Sequence, residues 1–162
     1  MGPINNTSTY LNSIVTCRGM KLAVGNLTKK LKNKKDQFDA IAFRGISGAL
    51  VAPALAQAMS KDIIAVRKNE SHHGDGRVEG VTHPRYIIVD DFVESGATLR
   101  AIKRQIKRWS PESKLVGVAL YNSFYDCEDN PLYATRGFRK VWFINTIIPV
   151  DPLTEGNSHE EV

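Results

Sequence analysis

The chain has 162 residues, 42% hydrophobic and 24% charged, with 22 Lys and Arg against 17 Asp and Glu for a net charge of +5. That balance excludes a disordered chain and fits one globular domain, 1–162, able to bury its own core. The basic excess suits a polyanionic partner, either a phosphorylated metabolite or nucleic acid.

Residues 1–20 carry no strong period. A helix is expected over 21–35, with Leu22, Leu27 and Leu31 toward the core. Five lysines fall in Lys29–Lys35, read as a solvated helix face because no aromatic residues interleave with them. Phe38–Phe43 is a short buried strand, Arg44–Gly48 a loop, and Ala49–Met59 a helix with Pro53 near its start. A second strand covers Asp62–Arg67. The polar, glycine-rich stretch 68–83 reads as a mobile loop, of a length that is usually either functional or disordered. Pro84 precedes a third strand, Arg85–Asp91, and a helix follows from Ala97 to Trp109, with Ile102, Ile106 and Trp109 on one face. Strands at Lys114–Asn122 and Phe138–Ile148 complete the pattern, separated by an irregular stretch with helical character near Leu132–Thr135. Residues 154–162 form an acidic tail without a core face, expected to be flexible.

Apolar strands alternating with helices predict an α/β fold: a doubly wound parallel sheet flanked by helices. Ligands then bind beyond the carboxyl ends of the strands, at loops 44–48, 68–83 and 92–98. The two cysteines, Cys17 and Cys127, make neither a disulfide framework nor a zinc site and fit a reducing compartment. With no signal-like N-terminus and no apolar run of membrane length, a cytoplasmic protein without a membrane partner is expected.

The chemistry concentrates in Ile87–Leu99. An apolar strand ends in two adjacent carboxylates, Asp90 and Asp91. At a strand end both can reach a ligand, where carboxylates accept hydrogen bonds from vicinal sugar hydroxyls or hold Mg²⁺, directly or through water. Glu94-Ser95-Gly96-Ala97-Thr98 then opens a helix. Small residues let the backbone approach closely, and the free N–H groups of the first turn favour an anion. The implied ligand is a sugar with its hydroxyls on the acidic pair and a phosphate in the turn. Asp-Asp and Ser-Gly are each common, but the combined spacing is rare.

The segment Ile87–Leu99 resembles the phosphoribosyl-pyrophosphate (PRPP) motif of the type I phosphoribosyltransferases, and the resemblance extends in element order over most of residues 38–122. The resemblance implies that Asp90 and Asp91 hold the ribose hydroxyls, and that Glu94, Ser95, Gly96, Ala97, Thr98 and Leu99 hold the 5-phosphate. It places a pyrophosphate loop at Arg44, Gly45, Ile46, Ser47 and Gly48. The run Arg67-Lys68-Asn69-Glu70-Ser71-His72-His73-Gly74 is similar to the start of the flexible catalytic loop of orotate and adenine phosphoribosyltransferases. Arg67, Lys68, His72 and His73 would then meet pyrophosphate. The orotate enzymes carry a lysine in this loop where Ser71 stands here, a departure that counts against orotate.

The implied reaction transfers the 5-phosphoribosyl group from PRPP to a nucleobase, with Mg²⁺ as cofactor and pyrophosphate released. Glu94 and Lys68 are the candidate catalytic residues. Glu94 occupies the place where hypoxanthine-guanine-type enzymes carry an aspartate credited with the purine N7 proton, which favours a purine acceptor. A small hood over the base is expected from residues 1–20 or 121–153, where Tyr121, Phe124, Tyr125, Trp142 and Phe143 could stack on a base, although aromatics in such strands are more often core. The family also implies a homodimer. Two alternatives stand beside this reading: an orotate enzyme, and a non-catalytic regulator that binds PRPP or a nucleotide and uses its basic charge on nucleic acid.

Overall fold

A computed structural model describes residues 11, 13–68, 77–123 and 137–149. The predicted helix near 132–135, the tail 154–162, His72, His73, Phe124 and Tyr125 lie outside the described residues. Helix α1 spans Cys17–Leu31 and begins before the expected Lys21, because the Thr16 side chain accepts from the Gly19 N–H at 2.9 Å and caps it. Ala23, Leu27 and Leu31 form its buried stripe, at the spacing of one helix face, with Leu22 half-buried at its edge. Lys32–Gln37 leave the α-helix and form a 3-10 helix with no buried residue.

Strand β1 (Ala40–Phe43) leads into α2 (Gly45–Ala49) and α3 (Ala52–Met59), so the expected loop 44–48 is a short helix. The helix expected from Ala49 is broken at Leu50–Val51 and restarts with Pro53 in its first turn, where a missing N–H leaves no intrahelical bond unmade. Strands β2 (Asp62–Val66), β3 (Val78–Gly80), β4 (Arg85–Asp90), helix α4 (Ala97–Trp109), β5 (Lys114–Leu120) and β6 (Trp142–Asn145) follow.

The six strands form one sheet in the order β3-β2-β1-β4-β5-β6. All neighbours are parallel except β2 and β3, which pair antiparallel with Val66 opposite Val78. The expected doubly wound parallel sheet is present with one antiparallel edge strand, and the expected loop 68–83 is corrected where Val78–Gly80 form that strand. A three-residue strand is too short to show a period, yet it covers the open backbone of β2 and buries Val78. The expected fifth strand, 138–148, shrinks to β6. Phe138, Val141 and Ile148 are apolar because they are buried, although they lie outside the strand.

Strand alternation feeds two cores. Ile41, Ile87 and Val89 pack with α1 and α3 on one face, while Ala42, Ile88 and Val118 pack with Leu99, Ile102 and Ile106 of α4 on the other. No helix among the described residues is long and apolar enough to cross a membrane.

The chain leaves β1 toward β2 and returns to β4 on the other side of β1, so the strand order reverses there. The crevice beyond the carboxyl ends of β1 and β4 is where such a sheet binds ligands. One side of it is built by close packing. A Cβ at Gly48 would stand 2.7 Å from the Phe43 Cβ and 3.2 Å from the Val89 carbonyl oxygen. Gly48→Ala should lower the free energy of unfolding by about 1–3 kcal/mol, the usual cost of overpacking. Urea denaturation checks this, and unchanged stability would show that α2 does not press on β1 and β4.

Candidate active site

A pocket of about 260 Å³ opens at this crevice, lined by Arg44, Ser47, Lys68 and the continuous segment Asp90–Leu99. Three loops that are distant in sequence therefore meet: the β1–α2 connection, the chain leaving β2, and the β4–α4 turn.

Asp90 and Asp91 are each only 6% exposed. Asp90 Oδ1 accepts from the Ser47 hydroxyl at 2.7 Å and from the Asp91 N–H at 2.9 Å. Burial pushes the Asp90 carboxyl up to about 7, the neighbouring Asp91 charge adds to the rise, and the Ser47 hydrogen bond opposes it. The backbone of the pair is pinned by the chain that follows β5. The Tyr121 N–H donates to the Asp90 carbonyl at 3.1 Å and the Asn122 N–H to that of Asp91 at 2.9 Å.

Gly96 takes a left-handed conformation (φ 77°) just before α4, a turn that L side chains rarely adopt. Ser95 Oγ accepts from the Ala97 N–H at 3.3 Å, and the Ser95 carbonyl accepts from Arg100 at 3.0 Å. Ala97, Thr98 and Leu99 present the opening turn of α4 to the pocket, where the first N–H groups of a helix lack intrahelical acceptors and the positive end of its dipole lies. Leu99 contributes backbone only, because its side chain is buried in the core. Glu94 is exposed at the pocket wall.

The Lys68 side chain lies against Gly45 at the start of α2, with its Cε 2.7 Å from where a Gly45 Cβ would be. The Lys68 carbonyl accepts from Arg44 Nη2 at 3.3 Å. Arg44 Nε is buried with no hydrogen-bond partner. A buried donor left open beside a pocket is a place for an acceptor on a ligand.

Not every expected residue arrives here. Arg67 turns away to Glu79 across β2 and β3, at 2.6 Å. Ile46 is 69% exposed and does not line the pocket. Of the aromatic candidates for a base platform, the described ones follow the commoner fate of aromatics in such strands. Tyr121 and Phe143 are buried in the core. Trp142 begins β6, at the end of the sheet away from the pocket, where its Nε1 donates to Gln37 at 3.0 Å and Lys34 sits 4.8 Å over its ring. Phe92 and Val93 line the pocket within the expected loop 92–98, although the sequence assigns neither a role of its own, since two apolar residues inside a motif carry no chemical signal. The pairing of Ser47 with Asp90 was equally hidden, because 43 positions separate them.

Among the described residues no group of three or more His, Cys, Asp or Glu side chains converges to cage a metal. Two adjacent carboxylates do suit Mg²⁺, which binds through one or two carboxylates and completes its shell with water and ligand phosphates.

No protein-family model matches the chain. It is 35% identical over 101 residues to an adenine phosphoribosyltransferase of Bifidobacterium longum subsp. infantis, covering 52% of each chain. It is 30% identical over 94 residues to an orotate phosphoribosyltransferase of Pyrococcus furiosus, covering 56% of this chain and 52% of that one. The chain thus spans about half the length of the curated relatives it matches. The crystal structure of orotate phosphoribosyltransferase from Aeropyrum pernix superposes with a TM-score of 0.65 at 15% identity, over 85% of this chain and 75% of that one. In sequence over about half its length this chain is similar to adenine and orotate phosphoribosyltransferases, and in its fold it is similar to an orotate phosphoribosyltransferase.

Proposed function

We propose that the chain binds PRPP and transfers its 5-phosphoribosyl group to a nucleobase, with a purine favoured. The observation that carries this reading is one pocket lined by a buried acidic pair, the opening turn of α4 and two cationic side chains. The opening turn of α4 suits the 5-phosphate. Arg44, Ser47 and Lys68 suit pyrophosphate. Asp90 and Asp91 suit the ribose, whose hydroxyls would donate to the carboxylates.

The reaction displaces pyrophosphate from the anomeric carbon of ribose by a ring nitrogen. Negative charge grows on the leaving group, and the guanidinium of Arg44 and the ammonium of Lys68 are placed to stabilise it. The ribose becomes cation-like, and the carboxylates beside it favour that charge. Mg²⁺ held by Asp90 and Asp91, directly or through water, would supply further neutralisation of the pyrophosphate. Glu94, exposed at the pocket, is the candidate base for the incoming purine. Orotate stays on the acceptor panel because an orotate relative reaches 30% identity. A homodimer is part of the proposal, and light scattering would reveal it.

The Asp90→Asn variant separates binding from folding. A carboxyl raised to about 7 in the fold binds its proton more tightly there than in the unfolded chain. Its ionisation therefore lowers stability progressively as pH rises from about 4 to about 7, and the loss is complete above that. In ligand-free, metal-free buffer Asp90→Asn should raise Tm at pH 8, and the gain should shrink toward pH 4. The same variant should lose PRPP binding in calorimetry. A variant destabilised at pH 8 would contradict the burial argument, and one that keeps PRPP affinity would contradict the ribose assignment.

Glu94→Gln should slow turnover roughly a hundredfold, within the usual range for a general base, while changing PRPP affinity little. The assay is pyrophosphate release from PRPP and Mg²⁺ with adenine, hypoxanthine, guanine and orotate. Release with none of them, alongside intact PRPP binding, would overturn the enzyme reading in favour of a regulator. Undiminished turnover in the variant would remove Glu94 as the base.

A further inference from the structure

We propose that Tyr121 is a positioning residue for the acidic pair, acting through Ser47 rather than by touching the ligand. The inference rests on the reading of Asp90 as a ribose-binding carboxylate.

Helix α2 has only five residues and breaks at Leu50–Val51. In a continuous helix the Val51 N–H would bond to the Ser47 carbonyl, but it bonds to the Gly48 carbonyl instead, at 3.2 Å. The break therefore takes away the intrahelical donor of the Ser47 carbonyl. The Tyr121 hydroxyl donates to that carbonyl at 2.7 Å. Tyr121 is fully buried in the core shared with Ile87, Val89 and Ala119, so packing holds its hydroxyl at a fixed point.

The same residue reaches Asp90 from a second direction, since its backbone N–H donates to the Asp90 carbonyl at 3.1 Å. Ser47 closes the ring with a 2.7 Å hydrogen bond from its hydroxyl to Asp90 Oδ1. One tyrosine thus sets both the backbone of Asp90 and, through Ser47, the orientation of its carboxylate. With Oδ1 committed to Ser47 and the Asp91 N–H, the ribose is met by Oδ2. The network also ties the pyrophosphate side of the pocket to the ribose side, so a loosened α2 misplaces the carboxylate without removing any ligand-contacting group.

Tyr121→Phe deletes the hydroxyl and keeps the ring. PRPP affinity, measured by calorimetry with Mg²⁺ on wild type, Tyr121→Phe, Ser47→Ala and the double variant, should fall about tenfold on loss of the hydroxyl, the scale of one well-placed hydrogen bond. On the Ser47→Ala background the Tyr121→Phe change should add little, because its effect passes through Ser47. Binding of inorganic phosphate, which needs only the opening turn of α4, should be unchanged by Tyr121→Phe. Additive losses in the double variant, or equal losses for PRPP and phosphate, would make Tyr121 merely structural and overturn the inference. Full PRPP affinity in Tyr121→Phe would overturn it alone, whereas a wild-type chain that binds no PRPP would overturn the underlying reading as well. If Tyr121→Phe fails to fold by circular dichroism, Ser47→Ala carries the test: unchanged PRPP affinity there overturns the proposal.

Discussion

Asp90 is a carboxylate that the fold partly removes from water at the carboxyl end of a central strand. Its desolvation pushes the carboxyl up to about 7, against an ordinary value near 3.8. The fold offsets only part of that cost, with one hydroxyl and one backbone N–H on Oδ1. A buried acid held this way gains most when a ligand supplies further donors or a cation. Much of the surrounding structure can be understood as what keeps this group in place: the chain that follows β5 pins its backbone, α2 brings Ser47 to it, and the two cores fix β4 beneath it.

The distribution of charge follows the same axis. The pocket lies at the carboxyl ends of the strands, where the opening turn of α4 and the side chains of Arg44 and Lys68 provide positive potential around the acidic pair. The lysines of residues 29–35 lie at the other end of the sheet, before β1. Lys34 is engaged there with the Trp142 ring. The excess of five positive charges is therefore not concentrated at the site. A few cations and helix N–H groups define the pocket, and the remainder raise the general field that draws an anionic ligand toward the protein.

The β3 edge and the broken α2–α3 helix illustrate how tertiary contacts override local pattern. Three residues cannot announce a strand, yet Val78 pairs with Val66 because β2 would otherwise be left open. An apolar run such as Phe138–Ile148 reports burial, which strands share with the turns that pack against them. Leu50 and Val51 interrupt what reads as a single helix, and that break leaves the Ser47 carbonyl to Tyr121.

The order of β1, β2, β4 and β5, the helix Ala97–Trp109 and the whole segment Asp90–Leu99 were legible in the sequence, because apolar period and turn chemistry are local properties of the chain. The PRPP-motif resemblance was legible for the same reason, since its donors and acceptors are neighbours along the backbone. Tertiary structure alone decided which distant residues complete the pocket. It brought Ser47 to Asp90 and Tyr121 to Ser47, turned Arg67 to Glu79, and drew Tyr121 and Phe143 into the core. Such contacts depend on strand order and on the direction each side chain takes when the sheet closes between its helices. No local pattern encodes that direction, which is why Ile87–Leu99 could be read from the sequence while the residues that hold it could not.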